Sequence, residues 1–355
     1  MTPDVEATLT KSQEWLKENT KRYAFKKLER EIVQTEVCVE CGTCVSNCPV
    51  DAISGEWIDN KYVPSLTGKC ISCGICYAMC PRTKMLPTQL IGEYKTIWRA
   101  KRVEEGGNRQ DGGVATALIA AGLRMKTLDA AVVATHGTEK WRPLAMVATK
   151  AEEVLNSGGT IYTHIPIVAG MMEAFVNGHS KIAVVGTACN IDALHRLQTH
   201  TAGFLAMDGD ADVTKVGLFC MESFDYERLK NFLKDNKIDI QKVDRMAIAG
   251  GKFMIRLNGE NQEWPVADLD SAAAKSCSYC HDLTAKNADI SCGNIGSDEG
   301  YTTVIVRTEK GEKLFLQCVK EGLIEAEPLE EKAVQTIGNV ARSKATRYYK
   351  MTSPH

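Results

Sequence analysis

Apolar residues are distributed along the chain in three distinct textures. Over residues 1–34, Trp15, Leu16, Tyr23, Phe25, Leu28 and Ile32 stand among Lys, Arg and Glu, which predicts an amphipathic N-terminal helix, packed on its own protein ahead of the alternative of docking a partner. Residues 35–86 lose that periodicity and read as loops. From about residue 110 helix and strand signals alternate. GGVATALIAAGLRM (112–125) has helical spacing, and AAVVAT (130–135), KIAVVG (181–186) and KVGLFC (215–220) are short apolar runs, the last ending on Cys220. Runs of that kind are expected of strands buried on both faces. IDALHRLQ (191–198) reads as a helix between the last two, so the order is strand, turn, helix, strand. TTVIVRTEKGEKLFL (302–316) predicts a strand followed by a Gly-containing turn, and residues 328–350 a mixed-charge helix before an unstructured MTSPH. The expected organisation is an N-terminal helix (1–34), a small loop-rich domain (35–90), an α/β core (91–320) and a helical tail (321–355).

Composition changes this picture at one point. Lys and Arg total 43 against 45 Asp and Glu, a formal net charge of -2, so neither nucleic acid nor an anionic membrane is implied as a partner. No apolar run approaches the length of a bilayer span and the polar N-terminus lacks the apolar stretch of an export signal. A cytoplasmic location is therefore expected, with peripheral attachment to a membrane-bound complex left open. The seven histidines sit in no nucleophile motif, which removes support for a Ser/His/Asp hydrolase. The 14 cysteines are what the composition adds. In a reducing compartment, clustered and closely spaced cysteines point to metal ligands more than to disulfides.

Cys38, Cys41, Cys44 and Cys48 precede Pro49 in a C-x2-C-x2-C-x3-C-P pattern, and Cys70, Cys73, Cys76 and Cys80 precede Pro81 in the same one. Three closely spaced thiolates wrap one cubane, and the fourth reaches the other cluster. One 4Fe–4S cluster is thus assigned to Cys38, Cys41, Cys44 and Cys80, the other to Cys70, Cys73, Cys76 and Cys48. Gly42 and Gly74 supply the tight turns. Tetrahedral zinc more commonly uses separated C-x2-C pairs. A small module of this kind takes folding free energy from its metal where apolar burial is scarce.

Six cysteines remain: Cys189, Cys220, Cys277, Cys280, Cys292 and Cys318. Strand ends on one edge of an α/β sheet can bring ligands together. Spacing alone leaves open a third cluster, buried small apolar side chains, a redox-active C-x-x-C or half a zinc site.

At RQDGGVATALI (109–119), WRPLAMVAT (141–149), GTIYTHIP (159–166), VVGTACNIDALHRLQ (184–198), VGLFCMESF (216–224), GGKF (250–253), CSYCHD (277–282) and ADISCGNIGSDEGYTTVIVRTEKG (288–311) the chain resembles the beta subunits of coenzyme F420-dependent hydrogenases and dehydrogenases. The resemblance covers roughly residues 95–320. It implies an α/β flavin- and cluster-binding core behind an N-terminal bacterial-ferredoxin-like (2×4Fe-4S) domain, with flanking terminal helices. It further implies bound FAD, F420 as substrate, and a third 4Fe–4S cluster on Cys189, Cys220, Cys277 and Cys280. Cofactor-binding positions implied by the matched motifs are Gln110, Asp111, Gly112, Gly113, Thr160, Tyr162, Gly186, Thr187, Lys252, Gly293, Gly296 and Ser297, with Lys252 as the candidate cation. Backbone amides at Gly112 and Gly113 would face an anion at a helix start; the plain alternative is an N-cap by Asp111.

The chain departs from the family at Ala188, where Pro usually stands, at Ile161, where a basic residue is common, and at Cys292, which is either an additional ligand or a buried thiol. Ile161 weakens the case for binding the polyanionic tail of F420. The implied activity is hydride exchange with F420 at FAD and single-electron exchange through the clusters with a larger complex. Heterodisulfide reductase, membrane F420H2 dehydrogenase, hydrogenase and formate dehydrogenase are all expected to suit as partners. Rival readings are a ferredoxin-driven reductase of an organic ring substrate and a relay subunit without a hydride site.

Overall fold

The computed structural model describes residues 4–352. The chain divides into two compact units, one comprising the residues up to Gly92 together with those from Gly338 onward, the other Glu93–Ile337.

In the first unit, the helix Val5–Asn19 starts on Asp4, whose carboxylate accepts from Ala7 N, and it buries Leu16. The single helix expected over 1–34 is in fact broken at Thr20–Ala24, and a second helical stretch runs through Phe25–Leu28 into a π-turn at Glu29–Val33. The cause is visible in the sequence: residues 17–22 are all polar and interrupt the apolar stripe. Leu16, Phe25, Leu28 and Ile32 then converge with Ile53, Ile75, Tyr77 and Met85, and the module's cysteines other than the exposed Cys41 pack around this small core. Strands β1 (Ile53–Ile58) and β2 (Lys61–Leu66) form an antiparallel hairpin. Its two tip residues, Asp59 and Asn60, both take the left-handed conformation that such hairpins need. Of the expected unstructured tail MTSPH, Met351 and Thr352 end the helix Glu331–Thr352, and residues 353–355 lie outside the described residues.

The second unit is built on an eight-stranded mixed sheet. Its strands are β3 (Thr96–Arg102), β4 (Ala130–His136), β5 (Pro143–Ala148), β6 (Lys181–Thr187), β7 (Asp212–Leu218), and, beyond a smaller sheet, β11 (Ile290–Gly293), β12 (Thr302–Val306) and β13 (Ile324–Pro328). The smaller sheet is an antiparallel meander of β8 (Val243–Ala249), β9 (Lys252–Leu257) and β10 (Glu260–Pro265). The large sheet runs β13-β3-β12-β11-β7-β6-β4-β5. β4, β6, β7 and β11 are mutually parallel, and β3, reached through antiparallel β12, points the same way.

Burial on both faces explains the continuous apolar runs. Ala131, Val133 and Ala183 join the helices Val114–Arg124 and Glu309–Lys320 on one side, while Val132, Ile182 and Val184 meet Ile167–Val176 and Ala188–Thr199 on the other. The Gly-containing turn expected after β12 is instead the first turn of the helix Glu309–Lys320, where Thr308 Oγ1 accepts from Gly311 N at 3.2 Å. Gly311 is there because a Cβ would lie 2.3 Å from the Asp289 carbonyl oxygen. Among the described residues no helix is long and apolar enough to cross a membrane.

Candidate functional site

In the first unit the two cysteine motifs fold as near copies. Glu40 and Ser72, two residues after Cys38 and Cys70, both have positive φ, at 57° and 56°, and each donates its backbone N–H to that cysteine's Sγ at 3.4 Å. Gly42 and Gly74 follow in the left-handed region at φ 72° and 88° and open the short helices Thr43–Ser46 and Ile75–Met79. At Gly74 an added Cβ would also press on the Arg22 backbone at 3.3 Å.

These turns form two hollows. One, about 400 Å3 to its open mouth, is lined by Cys38, Cys41, Cys44 and Cys80; the other, about 310 Å3, by Cys70, Cys73, Cys76 and Cys48. The crossed grouping expected from spacing is thus the one the fold brings together. A further donor points at sulfur, Ala52 N at 3.2 Å from Cys48 Sγ, while the Cys41 thiol donates to the Thr43 hydroxyl oxygen at 3.3 Å. Burial, aided by the neighbouring thiols, pushes Cys44 up to about 11 and Cys76 up to about 12. Crowded, buried thiols of this kind ionise when they ligate metal, which suits an iron–sulfur cluster.

In the second unit the C-terminal ends of β3, β6, β7 and β11 lie along one edge of the large sheet, the position at which open α/β sheets take ligands. Cys189 follows β6 in the first turn of Ala188–Thr199, where the Asn190 carboxamide oxygen accepts from Thr187 N and the Thr187 hydroxyl. Cys220, expected as a strand end, stands two residues beyond β7, its N–H bonded to Leu283 O at 2.9 Å. Cys277 and Cys280 bracket a single 3-10 turn, with Cys280 N donating to Cys277 O at 3.1 Å.

Small backbone bridges lace these loops together. Thr163 pairs with Phe224, and Phe224 with Ala273. His164, which the sequence reading passed over, sits among the thiols with Nε2 3.7 Å from Cys277 Sγ and 3.4 Å from Ser276 Oγ. Its hydrogen bonds to Cys189 and then Cys277 hold it up at about 10, and the same contact draws Cys189 down to about 7. Ser223 N donates to Cys277 Sγ at 3.3 Å, and Thr187 Oγ1 lies 3.3 Å from Cys189 Sγ. Half-buried Arg307 donates to Ser291 Oγ, Glu93 O and both oxygens of Thr284, fixing the loop that follows Cys280. Cys292 is a core thiol: it is buried in β11 between Leu218 and Val304, and burial pushes it up to about 12. Cys318 is likewise core.

The glycine motif lies on the same edge. Gly112 is pinched between the end of β3 and the start of β12: a Cβ would come within 2.7 Å of Ala100 O, Thr302 N and Thr302 Oγ1. Gly113, at φ 69°, opens the 11-residue helix Val114–Arg124. The plain alternative of an N-cap by Asp111 is not what forms, since Gly113 is the capping residue. Beside Gly113 stand the aliphatic stem of Arg109, its Cβ 3.3 Å from the position of the missing glycine Cβ, and the Arg102 guanidinium, its Nε at 3.6 Å. Arg102 is 3% exposed, and although Nε and Nη2 bond the Glu104 and Gly106 carbonyls, Nη1 is buried without a partner. Burial and the charge of Arg109 both lower Arg102. Paired cations, an orphaned donor and a helix N-terminus form a setting made for an anion such as a dinucleotide phosphate.

The other expected positions have mixed environments. Asp111 is half-buried, which raises its carboxyl, against the pull of Arg245 from β8. Tyr162 accepts from Ile248 N at 2.9 Å and packs on Phe224 and Phe253; burial pushes it up to about 12, with Thr160 alongside. Lys252 stands at the Gly250–Gly251 turn of the small sheet and is ion-paired with Glu263, so the cation facing Asp111 and Tyr162 is Arg245. Nothing in the local motif marked Arg245. Gly186 leaves room for Asn190 and Gly293 for the Phe219 ring. Gly296, at φ 96°, and Ser297, bonded to the Thr303 hydroxyl at 2.7 Å, belong to a loop held by Arg99, which stacks 3.2 Å over Tyr301 and pairs with Asp298.

A crossed-motif cysteine module and a mixed sheet with thiols and an anion cradle on one strand edge define an iron–sulfur oxidoreductase subunit. Residues 30–93 match the 4Fe-4S dicluster domain. Residues 97–171 match the N-terminal part, and 179–332 the C-terminal part, of the family described as coenzyme F420 hydrogenase/dehydrogenase, beta subunit. The chain is 31% identical to a component of the F(420)H(2) dehydrogenase of Methanosarcina mazei over 80% of this chain and 83% of that one. It is 35% identical to the coenzyme F420-dependent sulfite reductase of Methanocaldococcus jannaschii over 80% of this chain, and spans 46% of that protein's length. A chain in the F420-reducing [NiFe] hydrogenase complex of Methanosarcina barkeri superposes with TM-score 0.70 and 30% identity, covering 74% of this chain and 92% of that one. The protein belongs to the coenzyme F420 hydrogenase/dehydrogenase beta subunit family, as its motifs led one to expect.

Proposed function

We propose that this chain is an F420-dependent oxidoreductase subunit that exchanges hydride with F420 at FAD and single electrons with a larger complex through three 4Fe–4S clusters. Their ligands are Cys38, Cys41, Cys44 and Cys80; Cys70, Cys73, Cys76 and Cys48; and Cys189, Cys220, Cys277 and Cys280. The observation that carries this reading is that Cys189, Cys220 and the Arg102–Gly113 segment follow the ends of β6, β7 and β3, which point the same way in one sheet, with His164 joining Cys277 to Cys189. Bound FAD supplies the conversion between two-electron hydride chemistry and one-electron transfer.

The protein's own residues supply position and charge. Arg102, Arg109 and the amides opening Val114–Arg124 bind and orient phosphate. Asp111 and Arg245 set the local charge beside Tyr162, whose hydroxyl is tied to the Ile248 amide. Ser223, Thr187 and His164 hydrogen-bond the thiols of the third set.

The test is anaerobic mixing of the flavin- and iron-loaded protein with reduced F420 and a viologen dye. Dye reduction that disappears when FAD is stripped supports the proposal. Full flavin and iron with no reaction towards reduced F420 refutes the hydride site and selects a relay or a ferredoxin-driven reductase.

A further inference from the structure

Outside the two ferredoxin motifs one side chain stands out. His164 is a histidine brought among cysteines from a distant segment, and no histidine lies between residues 35 and 90. In the ferredoxin motifs backbone amides face the sulfurs, among them those of Glu40, Ala52, Ser72 and Thr83, and no histidine does so. At the third set the ring Nε2 of His164 meets Cys277 Sγ at 3.7 Å, and the imidazole hydrogen-bonds Cys189 as well.

Its placement is fixed from three sides. The residue before it, Thr163, bridges Phe224, which in turn bridges Ala273. Phe224 N donates to Tyr162 O at 2.7 Å, Ala274 N to Ser223 O at 2.9 Å and Cys277 N to Ala274 O at 2.9 Å. The ladder that sets the Cys277 backbone therefore sets the His164 backbone too. Ser276 Oγ, 3.4 Å from Nε2, limits the ring further.

Hydrogen bonds to ligand sulfurs withdraw electron density from a cluster and raise its reduction potential. We propose that His164 is a positioning residue of the third cluster, donating from its imidazole to the thiolates of Cys189 and Cys277 and making that cluster easier to reduce than it would be without the histidine. The inference rests on the reading of Cys189, Cys220, Cys277 and Cys280 as a cluster site. An easily reduced cluster beside the flavin would draw electrons from it, so His164 biases the first electron step without touching substrate.

The test uses the full chain, purified anaerobically, as wild type, His164→Leu, His164→Phe and His164→Gln. Iron per chain is measured, and each cluster's midpoint potential is read by EPR-monitored redox titration. Both donor-free variants are expected to keep about twelve irons, as three cubanes require. One of the three potentials should fall by about 59 mV, a tenfold change in a one-electron equilibrium. His164→Gln, which retains a donor, should restore part of that fall. Full iron with three unchanged potentials in Leu and Phe variants overturns the role of His164 and leaves the third cluster standing. Loss of about four irons in both also overturns it, since His164 would then be part of the cage. A wild type with only about eight irons overturns the third cluster itself.

Discussion

Gly112→Ala isolates the contribution of the glycine cradle. The new Cβ would sit 2.7 Å from Ala100 O, Thr302 N and Thr302 Oγ1, two of which are backbone atoms in paired strands. Ordinary carbon contacts need about 3.5 Å, so β3 and β12 must separate by most of an ångström, and neither can yield by rotating a side chain. Overpacking of this kind costs about 1–3 kcal/mol, which in a domain of this size lowers Tm by roughly 3–9 °C. The same displacement shifts Gly113 and the amides beside Arg102, so flavin retention should drop sharply. Gly178→Ala serves as the comparison: at φ 87° it carries backbone strain, but nothing lies within 4 Å of its Cβ. Its strain of about 1–2 kcal/mol should lower Tm without releasing flavin. The assays are flavin per chain after gel filtration and thermal unfolding followed by circular dichroism. A Gly112→Ala protein with wild-type Tm and full flavin would refute the argument.

Cys38→Ser and Cys80→Ser should each disturb the same cluster, so the double variant should lose no more iron than either single, whereas Cys70→Ser with Cys80→Ser should lose iron from both; iron analysis and EPR read this non-additivity. Arg307→Lys removes a fork of hydrogen bonds to Ser291, Glu93 and Thr284, and should cost about 3 kcal/mol at the scale of charge-assisted bonds, with preferential loss of iron from the Cys280 set. An unchanged denaturation midpoint would count against it. His136 is lowered by burial and then by Lys140 while its Nδ1 accepts from Trp141 N at 3.1 Å. Because the unfolded chain binds the proton more readily, this stability is present above about 6.5, the ordinary value, and is lost as the pH falls through the depressed folded value. Urea unfolding midpoints between pH 7 and 5 should fall less steeply in His136→Asn.

The ferredoxin-type module was legible from spacing because its geometry is local: ligands two and three residues apart leave the chain few ways to wrap a cubane. The buried strands were legible because β-branched runs such as KIAVVG have no polar face to offer water. The N-terminal helix was misjudged because apolar residues on either side of a polar stretch mimic one stripe, although Thr20 is extended. The turn at Gly311 was misread because glycine there answers to the Asp289 carbonyl across space, which no local pattern encodes. His164 and Arg245 were missed for the same reason. Their partners lie on other segments: Cys277 and Cys189 for one, Asp111 and Tyr162 for the other.

The large sheet explains why residues so far apart in sequence share one edge. Parallel β6, β7 and β11 end on the same side, which delivers Cys189, Cys220 and the Gly293 loop there. β3 ends on that side as well because antiparallel β12 separates it from β11, and Thr302, the first residue of β12, starts where β3 finishes. The chain leaving β3 must then turn back over the Ala100–Thr302 pair to begin Val114–Arg124, and Gly112 is the residue that crosses. A side chain at that crossing would push the helix N-terminus away from the sheet and shift the backbone beside Arg102. The inserted antiparallel strand therefore accounts both for the glycine and for β3 ending on the same side of the sheet as β6 and β7.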